Sequence, residues 1–352
     1  MLIEKFKASW MAITYSCNNN CRWCYVGDNL NNKKTEMQLE DVKKFSKLLS
    51  ELNVPKAILI GGEPTTHPDL LEIVEILADR GLNTYLVTNG RKLSDKGFVM
   101  DLKNAGLKKV TISIEGADEN THDFNTSIKG SFRETILGFQ NCLDLDLGVY
   151  NETTISNSNK ENLEGIVDLL YDIGLKEVAF NVCTPCLSRL KKSQDTVSPI
   201  EGAKIIERLY LYGKERNISV RSITPLPYCN FDNKISDEMK EKGLLALTCQ
   251  IFYGDGFVID HNGDILPCVH FTGYPLFNIK KGKGIINKDT FLEVYNNKSE
   301  NSYKFRKALW KYPSIKCEKD DLWGKCFGGC PIFWVKYDPD NNIRGLKDEK
   351  YT

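Results

Sequence analysis

Three cysteines near the start of the chain, Cys17, Cys21 and Cys24, stand in the order Cys17-Asn-Asn-Asn-Cys21-Arg-Trp-Cys24. Thiolates with this CxxxCxxC spacing can wrap one face of a cubane iron–sulfur cluster and ligate three of its irons. A closed structural cluster takes a fourth cysteine, and none lies nearby in the sequence. One iron would stay open, the distinction that also separates catalytic from structural zinc. Zinc is the competing occupant, but it usually takes four protein ligands, and His67, His122, His261 and His270 show no finger-like spacing. Two further groups stand out among the twelve cysteines: Cys249 with Cys268, and Cys317 with Cys326 and Cys330. Cys183 and Cys186 form a CxxC that fits a redox or metal pair. Cys142 has apolar neighbours on a helical pattern and reads as a core thiol.

The compartment decides how such thiols are read. Residues 1–10 mix Glu, Lys and apolar side chains, without the basic-then-apolar layout of a signal peptide. No uncharged apolar run approaches the roughly 18 residues that span a bilayer. A cytoplasmic protein is expected, and there clustered cysteines point to metal or catalysis, not disulfides. Lys+Arg and Asp+Glu both number 47, so no global field exists to hold nucleic acid or an anionic membrane. With 352 residues, 41% of them hydrophobic, the chain can bury a real core and one large domain with a small appendage.

The elements that must position the thiols alternate. Strand patterns at residues 10–16, 57–60, 84–88, 109–115, 148–155 and 177–182 are each followed by a helical pattern, at 39–52, 70–78, 96–104, 132–143, 163–171 and 199–216. About six βα units predict a parallel sheet with helical crossovers, two units short of a full barrel. Functional groups belong at the carboxyl ends of such strands. Cys17 follows the first strand, Gly61-Gly62-Glu63 the second, Thr88-Asn89-Gly90 the third and Glu115-Gly116 the fourth. On the fourth, Thr111, Ser113 and Glu115 share one face, which predicts a polar barrel interior. Beyond residue 225 the pattern changes. Residues 256–260 and 264–268 flank Asn262-Gly263, a strong hairpin signal. A helix candidate over 289–296 and a Cys/Gly-rich end follow, with too little apolar periodicity for a large separate core.

In the order of its cysteine loop and Gly-Gly-Glu turn, the chain resembles the radical S-adenosylmethionine (SAM) superfamily. The resemblance implies an α/β fold: a partial (β/α)6 TIM-like barrel over residues 1–225, with a cysteine-rich extension over 226–352. It implies that Cys17, Cys21 and Cys24 ligate a [4Fe–4S] cluster whose open iron binds SAM, with Trp23 and Tyr25 near the adenine. Gly61, Gly62 and Glu63 correspond to the motif that holds the SAM amino group, and Asn89 to a turn beside SAM. Ser113 and Glu115 correspond to ribose contacts, and Arg189, in Cys186-Leu-Ser-Arg189, to a carboxylate contact. Cys249, Gly263 and Cys268 resemble the C-x(9–15)-G-x4-C element of SPASM and twitch extensions. Cys317, Cys326 and Cys330 resemble the later SPASM run, with Asp320 where another cysteine would stand. One auxiliary [4Fe–4S] cluster is implied, held by Cys249, Cys268 and two of Cys317, Cys326 and Cys330.

The resemblance further implies reductive cleavage of SAM and hydrogen abstraction from a substrate by the 5′-deoxyadenosyl radical. Enzymes with such extensions mostly epimerise or crosslink ribosomal peptides, or mature a protein side chain, so a peptide is the first expectation. With the barrel starting near Trp10, either a separate partner binds the leader or the substrate docks directly on the barrel. A flavodoxin or ferredoxin would supply the electron. Cys229 is the candidate hydrogen donor for an epimerisation, with Cys183 and Cys186 as rivals. The alternatives are a dehydrogenase or epimerase acting on a sugar or aminocyclitol, and a non-catalytic iron–sulfur or zinc module.

Overall fold

The computed structural model describes residues 3–27, 30, 35–187, 194–281, 287–298, 300–310, 313, 317 and 321–344. Seven strands rise in chain order: β1 (Ala8–Thr14), β2 (Lys56–Gly61), β3 (Asn83–Thr88), β4 (Lys109–Ser113), β5 (Gly148–Ile155), β6 (Glu177–Val182) and β7 (Ser219–Ser222). Helices α1 (Leu39–Glu51), α2 (Leu70–Asp79), α3 (Lys96–Asn104), α4 (Glu119–Thr126), α5 (Ser131–Asp144), α6 (Leu163–Ile173) and α7 (Pro199–Glu215) lie between them. β1 through β7 pair in parallel with their neighbours. The βα alternation read from the sequence is therefore present, within a residue or two at most boundaries. β7 and α4 are additions to it.

The C-terminal region continues this sheet. It contains β8 (Gly256–Asp260), β9 (Asp264–Leu266) and β10 (Phe277–Asn278), with α8 (Asn233–Glu241), α9 (Gln250–Tyr253), α10 (Lys288–Asn296) and α11 (Asn301–Leu309). β8 and β9 form the hairpin expected at Asn262-Gly263. β8 also runs parallel to β1, with Val258 opposite Trp10. Among the described residues the sheet order is β10-β9-β8-β1-β2-β3-β4-β5-β6-β7, and it is not closed. The boundary expected at residue 225 falls just after β7, yet the core runs across it: Phe257, Ile259, Phe291 and Phe333 join the cluster that holds Met11 and Leu59.

The two faces of the sheet differ. Met11, Ile13, Leu59, Leu86, Val110, Ile112 and Phe180 are fully buried with Phe45, Leu77, Phe139 and Leu170 of the helices. Burial of such side chains contributes on the order of 1.5–3 kcal/mol each. On the opposite face, strand register aligns Trp10 and Ala12 with Ile58, Ile60 and Val258. Further along, that face carries Thr111 and Ser113 beside Tyr150 and Glu152, then Thr154 beside Asn181. The inner surface is thus apolar over β8-β1-β2 and polar over β4-β6, as the alternation on β4 predicts. Among the described residues no helix is long and apolar enough to cross a membrane.

Candidate active site

The thiol loop leaves β1 at Thr14 and is fastened by its backbone. Asn20 N–H donates to Thr126 O (2.9 Å) and Arg22 N–H to Asn125 O (3.2 Å), both at the end of α4. Arg91 donates to the carbonyl of Asn18 and to Asn19 Oδ1, and Asn89 Nδ2 donates to Asn18 Oδ1 at 2.7 Å. A loop held from two sides keeps its thiols in place before any ligand arrives. Asn19 N–H donates to Cys17 Sγ at 3.3 Å.

Charge around these thiols favours a cationic occupant. Burial pushes the Cys17 thiol up to about 12, and Glu63 and Cys24 add to the rise. Burial raises Cys21 as well, followed by Cys24, Glu115 and Cys17. Without metal these groups stay protonated, whereas bound iron supplies the positive charge that favours the thiolates. Among the described residues no three His, Cys, Asp or Glu side chains close on a single ion. Three thiols on one loop suit a cubane, whose thiolates each hold a different iron. The loop therefore fits a cluster.

Gly61 and Gly62 are required by a close approach of backbone. Gly62 N–H donates to Thr14 O and Glu63 N–H to Ser16 O, each at 2.8 Å. A Cβ on Gly61 would lie 2.1 Å from Thr14 O, and one on Gly62 2.5 Å from Ser16 O. The glycine pair thus sets the end of β2 directly against the residues that lead into Cys17. Tyr25 reinforces the junction, its hydroxyl donating to Gly61 O at 2.8 Å. Trp23 in the same loop is half-buried.

Glu63, only 1% exposed, is filled by the protein's own donors. Oε1 accepts from Thr65 N–H (3.0 Å), Thr65 Oγ1 (2.6 Å) and Thr88 Oγ1 (2.6 Å), and Oε2 accepts from Asn89 N–H (2.7 Å). The carboxylate ties the end of β2 to the end of β3, a structural duty beside the ligand role implied for it. Burial raises its pKa and these hydrogen bonds hold it down. Glu63→Ala should destabilise the chain by roughly 3 kcal/mol, because buried donors would be left without partners. A urea midpoint unchanged from wild type would contradict that role.

Across the polar half, Glu115 is 6% exposed. Its Oε2 accepts from Thr154 N–H at 3.0 Å, and Ser113 is half-buried one turn of the pleat before it. Burial pushes the Glu115 carboxyl up to about 8, with Glu152 adding to it, and pushes Glu152 up to about 6. Asn181 Nδ2 donates to Glu152. A carboxyl raised in the folded state binds its proton more tightly there than in the unfolded chain. Glu115 therefore costs nothing below the ordinary value of 4.5 and becomes progressively destabilising as pH rises to about 8. That loss has a limiting slope of about 1.4 kcal/mol per pH unit for one proton. Glu115→Gln should flatten the pH dependence of the denaturation midpoint over this window; an unchanged slope would refute the assignment.

Cys183 and Cys186 come to the same end of the sheet. Cys183 N–H donates to Ile155 O at 2.8 Å, and Cys186 Sγ lies 3.5 Å from Tyr25 O as its donor. The pair thus abuts the cluster loop. Arg189 lies outside the described residues, as does Asp320. Sequence reading missed Arg91, Asn125, Glu152 and α4. Arg91 had one signal, its place just after the Asn89-Gly90 turn.

The C-terminal thiols gather from three segments. Cys249 precedes α9, Cys268 follows β9, and Cys330 is anchored by its N–H to Pro225 O (2.8 Å). Burial raises all three, and Cys330 feels both Cys249 and Cys268, so they lie within electrostatic reach of one another. Cys326 Sγ accepts from Tyr228 N–H at 3.4 Å. Cys229 occupies the turn Tyr228–Asn230 and packs, like Cys317 and Cys326, against the main core. Cys229 is therefore placed beside this array. His270 Nδ1 is 3.5 Å from Cys268 Sγ, and its ring lies 5.3 Å from that of Tyr25, linking the two thiol groups through side chains.

The unclosed parallel sheet, with its thiol loop set against a Gly-Gly-Glu turn at the strand ends, defines a class. Residues 11–170 match the model of the Radical SAM superfamily, and the chain is an enzyme that carries a radical SAM domain over those residues. Its cofactors are accordingly SAM and a [4Fe–4S] cluster, and a purely non-catalytic metal module is set aside. It is 29% identical over 322 residues to AdoMet-dependent heme synthase of Methanosarcina barkeri, covering 89% of this chain and 85% of that one. It is 28% identical over 328 residues to PqqA peptide cyclase of Bradyrhizobium diazoefficiens, covering 91% of this chain and 80% of that one. Among solved structures, Streptococcus suis SuiB bound to precursor peptide SuiA superimposes with a TM-score of 0.74 at 17% identity. That likeness covers 97% of this chain and 76% of SuiB, and is one of fold.

Proposed function

We propose that this chain is a peptide-modifying radical SAM enzyme. The observation that carries the reading is the unclosed inner face: its polar half, Ser113, Glu152, Thr154 and Asn181, runs towards the free edge at β7. An extended peptide can lie across such a face and leave by the edge. The end-to-end likeness to PqqA peptide cyclase supports it. The comparable likeness to AdoMet-dependent heme synthase favours a second reading, in which the substrate is a tetrapyrrole.

Bound at Cys17, Cys21 and Cys24, the cluster would supply the electron that cleaves SAM to methionine and the 5′-deoxyadenosyl radical. The remaining roles fall to the chain itself. Trp23 and Tyr25 would border the adenine, the Gly61-Gly62-Glu63 turn and Asn89 would hold the methionine end, and Ser113 and Glu115 would face the ribose. Arg189 would meet the carboxylate. Cys249, Cys268 and Cys330, with Cys317 or Cys326, would hold an auxiliary [4Fe–4S] cluster of SPASM or twitch type. A flavodoxin or ferredoxin in the cytoplasm would reduce the enzyme, and a separate protein could present the peptide leader.

The test is to incubate reduced, reconstituted enzyme with SAM and either short precursor-type peptides or a porphyrin. A mass change in a peptide together with 5′-deoxyadenosine supports the proposal; conversion of the porphyrin alone replaces it with the second reading. Cys229 is tested separately. If it donates hydrogen, Cys229→Ala should keep 5′-deoxyadenosine formation and iron content while losing product. Normal product would remove Cys229 from the mechanism, and a fall in iron would make it part of the array beside it.

A further inference from the structure

Away from the SAM site, α9 and α11 enclose a cavity of about 290 Å3. Phe252 and Tyr253 of α9 line it together with Tyr303, Arg306 and Lys307 of α11 and Trp310 just beyond. The walls are fixed. Phe252 stacks on Phe327 at 4.5 Å, Trp310 meets Phe327 edge-on at 4.9 Å, and Tyr253 Oη donates to Gly324 O at 2.6 Å. Aromatic walls held in this way offer a flat apolar slot that needs little reorganisation to receive a ligand.

Arg306 sets the chemistry of the slot. It is 7% exposed, its Nη2 donates to Tyr295 O at 2.9 Å, and its guanidinium lies 4.5 Å from the Tyr295 ring centre. Nη1 is buried and, among the described residues, has no hydrogen-bond partner. Among the described residues no carboxylate pairs with it. The position is built for this side chain, since a Cβ on Gly254 would stand 2.5 Å from Arg306 Cδ. A guanidinium cannot shed its proton, so a buried and unpaired one carries a standing desolvation cost that an anion would relieve. The adjacent Lys307 is exposed and adds positive charge at the mouth.

We propose that this cavity binds a carboxylate carried on a flat apolar body, with the carboxylate at Arg306 and the body among Tyr253, Tyr303 and Trp310. Its volume suits one aromatic acid, not a tetrapyrrole. The group could arrive as a free aromatic acid or as the C-terminal residue of a peptide, and the two share this chemistry. The slot also shares its aromatic cluster with Cys249 and Cys268.

Anaerobic calorimetry on the full, metal-loaded chain distinguishes the cases. The probes are 4-hydroxyphenylacetate and its amide, and a Gly-Gly-Phe peptide with a free or an amidated C-terminus. Each acid should bind roughly tenfold or more tightly than its amide. Binding of the free acid alone assigns the small-molecule source, and binding of the peptide acid assigns a peptide terminus. Arg306→Lys, which keeps the charge but loses the planar fork, should erase most of the acid–amide difference. Lys307→Gln, at an exposed position, should weaken acid binding a few-fold without affecting folding. Equal affinity of acid and amide, absence of binding at millimolar probe, or wild-type discrimination by Arg306→Lys would each overturn the assignment.

Discussion

Replacing Cys17, Cys21 and Cys24 together by alanine is expected to abolish 5′-deoxyadenosine formation while leaving about half of the iron bound. The expectation rests on separation of two thiol groups in the fold. The first three share one loop after β1 and feel one another's charge, whereas Cys249, Cys268 and Cys330 are brought together by α9, the β8–β9 hairpin and the segment docked on Pro225. Losing the first group removes the three thiols of the loop set against the Gly61-Gly62 turn without touching the packing that assembles the second. About four irons per chain should therefore persist where the wild type holds about eight. Retained SAM cleavage would show that the loop is not where the chemistry starts. Complete loss of iron would show that the two groups do not load independently.

Gly62→Ala should damage stability and activity at once, although it adds a single methyl group. The new Cβ would face Ser16 O at 2.5 Å and Tyr15 O at 2.7 Å, both backbone atoms that cannot rotate away. Relief requires β1 and β2 to part at their carboxyl ends, which strains the bonds from Gly62 N–H to Thr14 O and from Glu63 N–H to Ser16 O. Overpacking of this kind costs roughly 3 kcal/mol or more. Ser16 leads directly into Cys17, so the displacement passes into the cluster loop. A lowered urea midpoint together with poor iron loading is the expected result. A variant with wild-type stability and full deoxyadenosine yield would mean that the two strands do not approach as described.

Much of this arrangement is legible in the residues, for reasons that differ by element. The strands and helices of the sheet carry clear apolar periods, and the thiol loop and the Asn262-Gly263 hairpin carry distinctive spacing. α4 escaped notice because its sequence, Glu-Asn-Thr-His-Asp-Phe-Asn-Thr, is almost wholly polar. Its task is to offer the carbonyls of Asn125 and Thr126 to the thiol loop. β7 has only four residues, too few for a period to emerge. The parallel pairing of β8 with β1 joins segments far apart in the chain, and nothing local encodes it. Spacing likewise separated Cys249 from Cys330, and only the docking of Cys330 on Pro225 brings them within reach. Glu63 is instructive in another way. The resemblance of its motif implies a SAM contact, while the donors that occupy it, Thr65, Thr88 and Asn89, become visible only once β2 and β3 lie side by side.

The most direct test of the central claim is anaerobic reconstitution of the full chain with iron and sulfide, followed by SAM and dithionite, with iron and 5′-deoxyadenosine measured on the same sample. Two thiol groups each holding a cubane predict about eight irons per chain and steady release of 5′-deoxyadenosine. Fully loaded protein that leaves SAM intact, or protein that takes up zinc in place of iron, would contradict it.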